Sequence, residues 1–212
     1  MPHASLSLPA RLCLLAWDST PEAMDTARLV RAGALTELAR RGLLTDEDGI
    51  ATPADMDTLT ADAVLDGLLE LVRESRPHPW RTWVTLHARV TSDAVREQLT
   101  ADGCLRAERK RVLGVFPSVD HVLERTDVVE ALREEARRLL EQPPPVPEVA
   151  EVPEVSEEEA AAVALAVAAG LPALVPDGDR ERHKDRVEEL IARTGVSGIL
   201  SELCSALATV PH

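Results

Sequence analysis

Arg28-Leu-Val-Arg-Ala-Gly-Ala-Leu-Thr-Glu-Leu-Ala-Arg-Arg-Gly-Leu-Leu44 is the stretch whose reading decides the fold. Ala34, Leu35 and Leu38 share one face at the spacing of an amphipathic helix. Gly42 stands where a glycine closes a helix. Arg40 and Arg41 occupy the last turn, where cations complement the helix dipole. Leu43 and Leu44 then enter a short strand. Arg31 lies on the apolar stripe, one turn before Ala34 and Leu35. Two readings of that arginine compete. Its stem packs while its guanidinium reaches water or a carboxylate such as Glu37 or Asp66, or the group awaits an anion.

The rest of the chain supports a helical protein. Its 212 residues can form one large domain or two small ones. With three Trp, one Phe and no Tyr, the core must come from Leu, Val and Ala. These, with Glu and Arg, favour helix. A formal net charge of −14 argues against nucleic-acid binding by the chain as a whole. Cys13, Cys104 and Cys204 form no zinc or CxxC pattern, so they read as buried thiols in a reducing compartment. The apolar run Leu12–Trp17 is too short to span a membrane and lacks the flanks of a signal peptide. A cytoplasmic protein is expected.

In chain order, residues 1–9 read as loose and Pro9–Trp17 as a first helix or apolar segment. Ser19 or Thr20 caps the next helix, with Pro21 at its first position. Thr45–Gly49 is an acidic turn between strands at Leu43-Leu44 and Ile50–Thr52. Helices follow over Ala63–Val72, Trp80–Ala88 and Ala94–Ala101, the last capped by Thr91-Ser92-Asp93 and closed by Gly103. Cys104-Leu105 is a strand, Ala107–Lys110 a turn and Arg111–Phe116 its partner, ended by Pro117. A unit of helix, glycine, strand, charged turn and strand therefore occurs twice. Thr126 or Asp127 caps a further helix to Leu140, and Glu158–Ala169, Asp185–Arg193 and Val196–Leu207 are the last three. Between them, Glu141–Glu159 holds five prolines, seven glutamates and no basic residue, which reads as an exposed loop at about 141–156. The apolar helix after it must bury against the preceding core, which makes 1–212 a single domain.

No catalytic constellation is present. The six histidines are scattered, and neither a phosphate-cradling glycine loop nor a nucleophile motif occurs. No catalytic residue, metal ligand or cofactor is therefore expected. The other informative stretch is Arg76–Arg111, with eight basic residues against four acidic ones. It reads either as ordinary surface charge or as a patch for phosphate or an anionic membrane. Arg109-Lys110-Arg111 is placed at the hairpin tip. Helix, strand, turn and strand also outline a winged helix, although Ala94–Ala101 offers only Arg96 and Gln98 to read bases.

The order of these signals resembles the Golgi phosphoprotein 3 (GPP34) family, which has eukaryotic Golgi and actinobacterial members. The resemblance is carried by Leu12–Asp18, Leu29–Leu43, Ala63–Leu68, Trp83, Asp102–Leu105, Arg111–Pro117 and Lys184–Leu190. It implies a mainly α fold, a helical bundle wrapped by amphipathic helices with short β-hairpins. It further implies a non-enzymatic peripheral membrane protein that binds phosphatidylinositol 4-phosphate and, in the eukaryotic branch, glycosyltransferase tails. The family's lipid site uses a tryptophan before the Arg31-type helix, that helix's arginine, and two arginines spaced three apart. Arg31 matches the helix arginine. The tryptophan position falls near Glu22, with Trp17 the nearest substitute. The arginine pair falls on Arg89 and Ser92 without gaps, and on Arg96 with a small one. The hairpin residues Arg109, Lys110 and Arg111 resemble the family's membrane-proximal, self-association hairpin. The expected partners are thus an anionic, phosphoinositide-like lipid, a protein partner, and a second copy through the hairpin. The rival expectations are a winged-helix DNA-binding regulator and a protein-interaction module gripped at the acidic Pro-rich loop.

Overall fold

The computed structural model describes residues 6–18, 23–112, 116–141, 155–176 and 180–209. Helices α1 (Leu8–Leu15) and α2 (Ala23–Arg40) lead into the hairpin β1 (Leu44–Glu47) and β2 (Ile50–Pro53). Then come α3 (Ala63–Glu74), α4 (Trp80–Thr85) and α5 (Ala88–Ala101), and a second hairpin, β3 (Leu105–Val112) and β4 (Phe116–Leu123). Helices α6 (Thr126–Glu141), α7 (Glu157–Ala168), α8 (Lys184–Ala192) and α9 (Ser197–Ala208) complete the order. The fold is mainly α, and its only described sheets are these two antiparallel pairs.

Helix α2 is the axis of the packing. It touches α1, α3, α4, α5, α7 and α9. Its apolar residues are therefore buried on all faces, from Leu29 and Val30 to Leu35 and Leu38, and not on the one stripe that the sequence suggests. Gly33 lets α1 lie close. A Cβ there would sit 2.5 Å from a methyl of Leu12 and 3.3 Å from the Pro9 backbone. Helix α7 is also enclosed, over Ala160–Val167, against α1, α2, α6, α8 and α9. Its start is fixed by a capping box, with Ser156 accepting from the Glu159 amide and the Glu159 carboxylate accepting from the Ser156 amide. Helix α3 is capped by Asp62, which accepts from the amides of Val64 and Leu65. It turns Val64, Leu65, Leu68, Leu69 and Val72 inward.

The glycine stops are where the sequence places them. At Gly42, φ is +70° and the Leu43 amide reaches back to the Leu38 carbonyl at 2.9 Å. Gly103 and Gly170 repeat this, with Cys104 bonded to Leu99 and Leu171 to Ala166. The left-handed residue frees the next amide to satisfy a terminal carbonyl.

Several boundaries differ from expectation. Helix α1 begins at Leu8, so Leu8 and Pro9 are helical rather than loose. The first hairpin turns on Asp48-Gly49 alone, with φ of +54° and +83°, which suits a two-residue turn in a twisted ribbon. Helix α5 starts at Ala88. Thr91 and Ser92 are buried within it and do not cap it. The second hairpin is longer than the sequence suggests. Arg106 to Arg111 pair with Val122 to Pro117, so Ala107–Lys110 is strand, and Pro117 lies within β4. Arg109-Lys110-Arg111 is thus on β3 and not at the tip, which follows Val112. The cap at Ser19 to Pro21 and residues 142–154 of the acidic stretch lie outside the described residues.

Candidate functional site: a buried arginine at the α4–α5 elbow

Arg31 occupies the middle of α2 and is fully buried. Its Nη2 donates to the Leu86 carbonyl at 2.7 Å. Its Nε and Nη1 have no partner among the described residues. Burial lowers its pKa to about 10. Neither carboxylate considered as an internal partner serves it. Glu37 accepts from Arg40 Nη1 at 3.1 Å and from Arg41 Nε at 2.8 Å. Asp66 accepts from the Thr60 amide and hydroxyl at 2.6 and 2.7 Å. A cation of this kind ordinarily costs several kcal/mol to bury without a counter-ion.

Leu86 belongs to the elbow between α4 and α5. Helix α4 ends at Thr85, and His87 turns the chain with φ of +54° before α5 begins. No side chain caps α5, and the Val90 amide turns back to the His87 carbonyl at 3.0 Å. Arg89 is the second residue of that helix and is exposed. Arg89 thus stands three residues along the chain from the carbonyl that holds Arg31. Further along, the buried Ser92 hydroxyl and Trp83 indole N–H also lack partners among the described residues.

The other expected residues are held elsewhere. Arg96 lies two helical turns beyond Arg89, about 10 Å along the axis. It is 3.3 Å from Asp93. It also faces Cys13 of α1, whose thiol burial pushes up to about 11 against the opposing pull of that guanidinium. Trp17 is half-buried beyond α1, and its carbonyl accepts from Arg133 of α6. On the second hairpin Arg109 is exposed and is paired in register with Val119, which is exposed too. Arg106 spends its charge on Glu108 and Glu124, at 2.9 and 2.5 Å. The two residues that could read bases from α5 are engaged, Arg96 with Asp93 and Gln98 Nε2 with Asp62 at 3.4 Å.

A cavity of about 330 Å³ opens elsewhere, among Glu37, Arg41, Asp62, Gln98 and Glu158. Three of its four carboxylates already have work. Arg40 and Arg41 hold Glu37, Asp62 caps α3, and Arg11 sits 2.8 Å from Glu158. Among the described residues, no group of three or more His, Cys, Asp or Glu side chains is placed to hold a metal ion. No described helix is long and apolar enough to cross a membrane.

The sequence offers Arg31 and Arg89 as candidates and gives no sign of the Leu86 carbonyl or the His87 turn. A backbone carbonyl leaves no mark in a sequence, and a histidine is no usual turn residue. The family model for Golgi phosphoprotein 3 (GPP34) matches residues 8–207. No curated protein sequence matches the chain.

Proposed function

The chain belongs to the Golgi phosphoprotein 3 (GPP34) family, and from that membership we propose a non-enzymatic peripheral membrane adaptor that binds anionic lipid headgroups. The observation that carries this reading is the Arg31 guanidinium, enclosed with no carboxylate partner among the described residues and held by one carbonyl. A phosphate monoester supplies the missing charge and several acceptor oxygens in the geometry of the arginine fork. Arg89, near the start of α5 where no side chain caps the helix, adds a second cation, and a helix N-terminus favours an anion. Phosphatidylinositol 4-phosphate is the headgroup that the family suggests. Arg109, Lys110 and Arg111 on β3 form the membrane-proximal element, and the same hairpin is the place for a second copy to dock. In this reading 1–212 is one domain, and the acidic Pro-rich stretch at about 141–156 is where a protein partner binds.

The charge balance imposes a condition. A chain of net charge −14 is repelled by an anionic surface as a whole. Binding must therefore come from a locally basic face and must weaken with salt. Liposome flotation tests the proposal. Recovery with phosphatidylinositol 4-phosphate vesicles at low salt should exceed recovery with neutral vesicles. Equal recovery rules the lipid reading out, and equal recovery with every anionic lipid removes the headgroup assignment alone.

A further inference from the structure

We propose that the Leu86–His87 elbow is a latch on Arg31, holding the guanidinium closed through the Leu86 carbonyl and swinging aside when an anionic phosphate group takes that carbonyl's place. The inference rests on the reading of Arg31 as an anion ligand. Three observations carry it.

Arg31 is completely enclosed, so no anion reaches it without a movement of what covers it. The contact that holds it is exchangeable. One neutral carbonyl satisfies one of five N–H donors, and Nε and Nη1 stay unmatched among the described residues. A phosphate would satisfy more of them with a full charge. The elbow itself is sprung. His87 is a non-glycine residue at φ +54°, where Cβ crowds the following carbonyl. Its side chain is exposed, so no side-chain burial holds it there. On one side the Leu86 amide is bonded to Thr82, and on the other the Val90 amide is bonded to the His87 carbonyl, both at 3.0 Å. The two helices can therefore keep their ends while the residues between them rotate. Opening releases the backbone strain and sets Arg31 beside Arg89 and the first amides of α5.

The test uses the whole chain and two substitutions at a residue that contacts neither lipid nor Arg31 in this arrangement. His87→Gly removes the strain and favours the closed elbow. Vesicle affinity should weaken by about fivefold, since a left-handed residue costs a non-glycine side chain roughly that factor. His87→Val, which tolerates the conformation least, should bind more tightly than wild type. A second readout needs no lipid. The rate of phenylglyoxal modification at Arg31, followed by mass spectrometry, should fall in His87→Gly and rise in His87→Val. Equal modification rates in all three proteins overturn the latch, whatever the vesicles show. The predicted order of rates with no preference for phosphatidylinositol 4-phosphate vesicles supports the latch and removes the lipid reading.

Discussion

The Arg31 guanidinium donates to the Leu86 carbonyl at 2.7 Å, and two of its three nitrogens find no partner among the described residues. That relationship separates a ligand from a structural ion pair. Breaking a buried pair typically costs about 3–5 kcal/mol, whereas replacing a poorly compensated buried charge by an apolar chain of similar length is often neutral or stabilising. Arg31→Met should thus unfold in urea within about 1 kcal/mol of wild type, or later, while recovery with phosphatidylinositol 4-phosphate vesicles falls to that with phosphatidylserine vesicles. A loss of about 3 kcal/mol or more would mean that the guanidinium has an internal counter-ion.

Arg89 and Arg96 make opposite predictions. Arg89 is exposed at the uncapped start of α5, so Arg89→Ala leaves stability unchanged and removes a charge-assisted bond to phosphate. Such bonds contribute about 1.5–3 kcal/mol, which is a tenfold loss of affinity or more. Arg96 is committed to Asp93 and to the α1 side, so Arg96→Ala leaves binding unchanged. Vesicle titrations of the two variants side by side decide the matter. Reversal of the two results would move the site two turns along α5.

Residues that act through their own backbone preference were legible in the sequence. Gly42, Gly103 and Gly170 end three helices because a left-handed position favours glycine, and each does so in place. Arg31 was legible as a charge on an apolar stripe. The second hairpin was not, because charged and apolar residues do not alternate along the sequence from Arg106 to Arg111, which hides the period of a strand. The start of α5 was displaced for a related reason. Thr91-Ser92-Asp93 has the composition of a cap, but Thr91 and Ser92 are buried among packed helices. What completes the candidate site, the Leu86 carbonyl and the His87 turn, depends on how α4 meets α2 and has no local signature.

Glu37 tests the packing of α2 apart from the site. Its carboxylate is 4% exposed and receives both Arg40 and Arg41. Glu37→Ala takes this carboxylate from two cations, but both reach solvent in part and Arg40 keeps Glu157 at 3.6 Å. The cost should be about 2 kcal/mol in urea denaturation, below that of a fully enclosed pair. Vesicle binding measured well below the unfolding transition should not change.

Asp127 gives a pH-dependent check on the start of α6. The Arg125 guanidinium, bonded to both its oxygens at 2.9 and 2.8 Å, holds its carboxyl at about 2 against an ordinary value of 3.8. A depressed folded-state pKa favours the ionised form in the fold. Its contribution is therefore complete above 3.8 and is lost as pH falls through about 2. A chemical-shift titration of the carboxyl carbon should show a midpoint near 2 in the wild type and a higher one in Arg125→Ala. A wild-type midpoint near 3.8 would contradict the pairing.

The hairpin and the elbow should divide the binding between them. Basic residues near an anionic bilayer contribute about 1 kcal/mol each, decay within a Debye length and carry no headgroup preference. Replacing Arg109, Lys110 and Arg111 together by Ala should therefore lower recovery with any anionic vesicle and flatten its salt dependence. The ratio between phosphatidylinositol 4-phosphate and phosphatidylserine vesicles should stay as it was, because that ratio belongs to Arg31 and Arg89. Arg89→Ala should do the reverse, lowering the ratio with little effect on the salt slope. If the triple variant abolishes the headgroup preference as well, the specific contacts lie on β3, and the buried arginine of α2 is a packing residue with an unmatched charge.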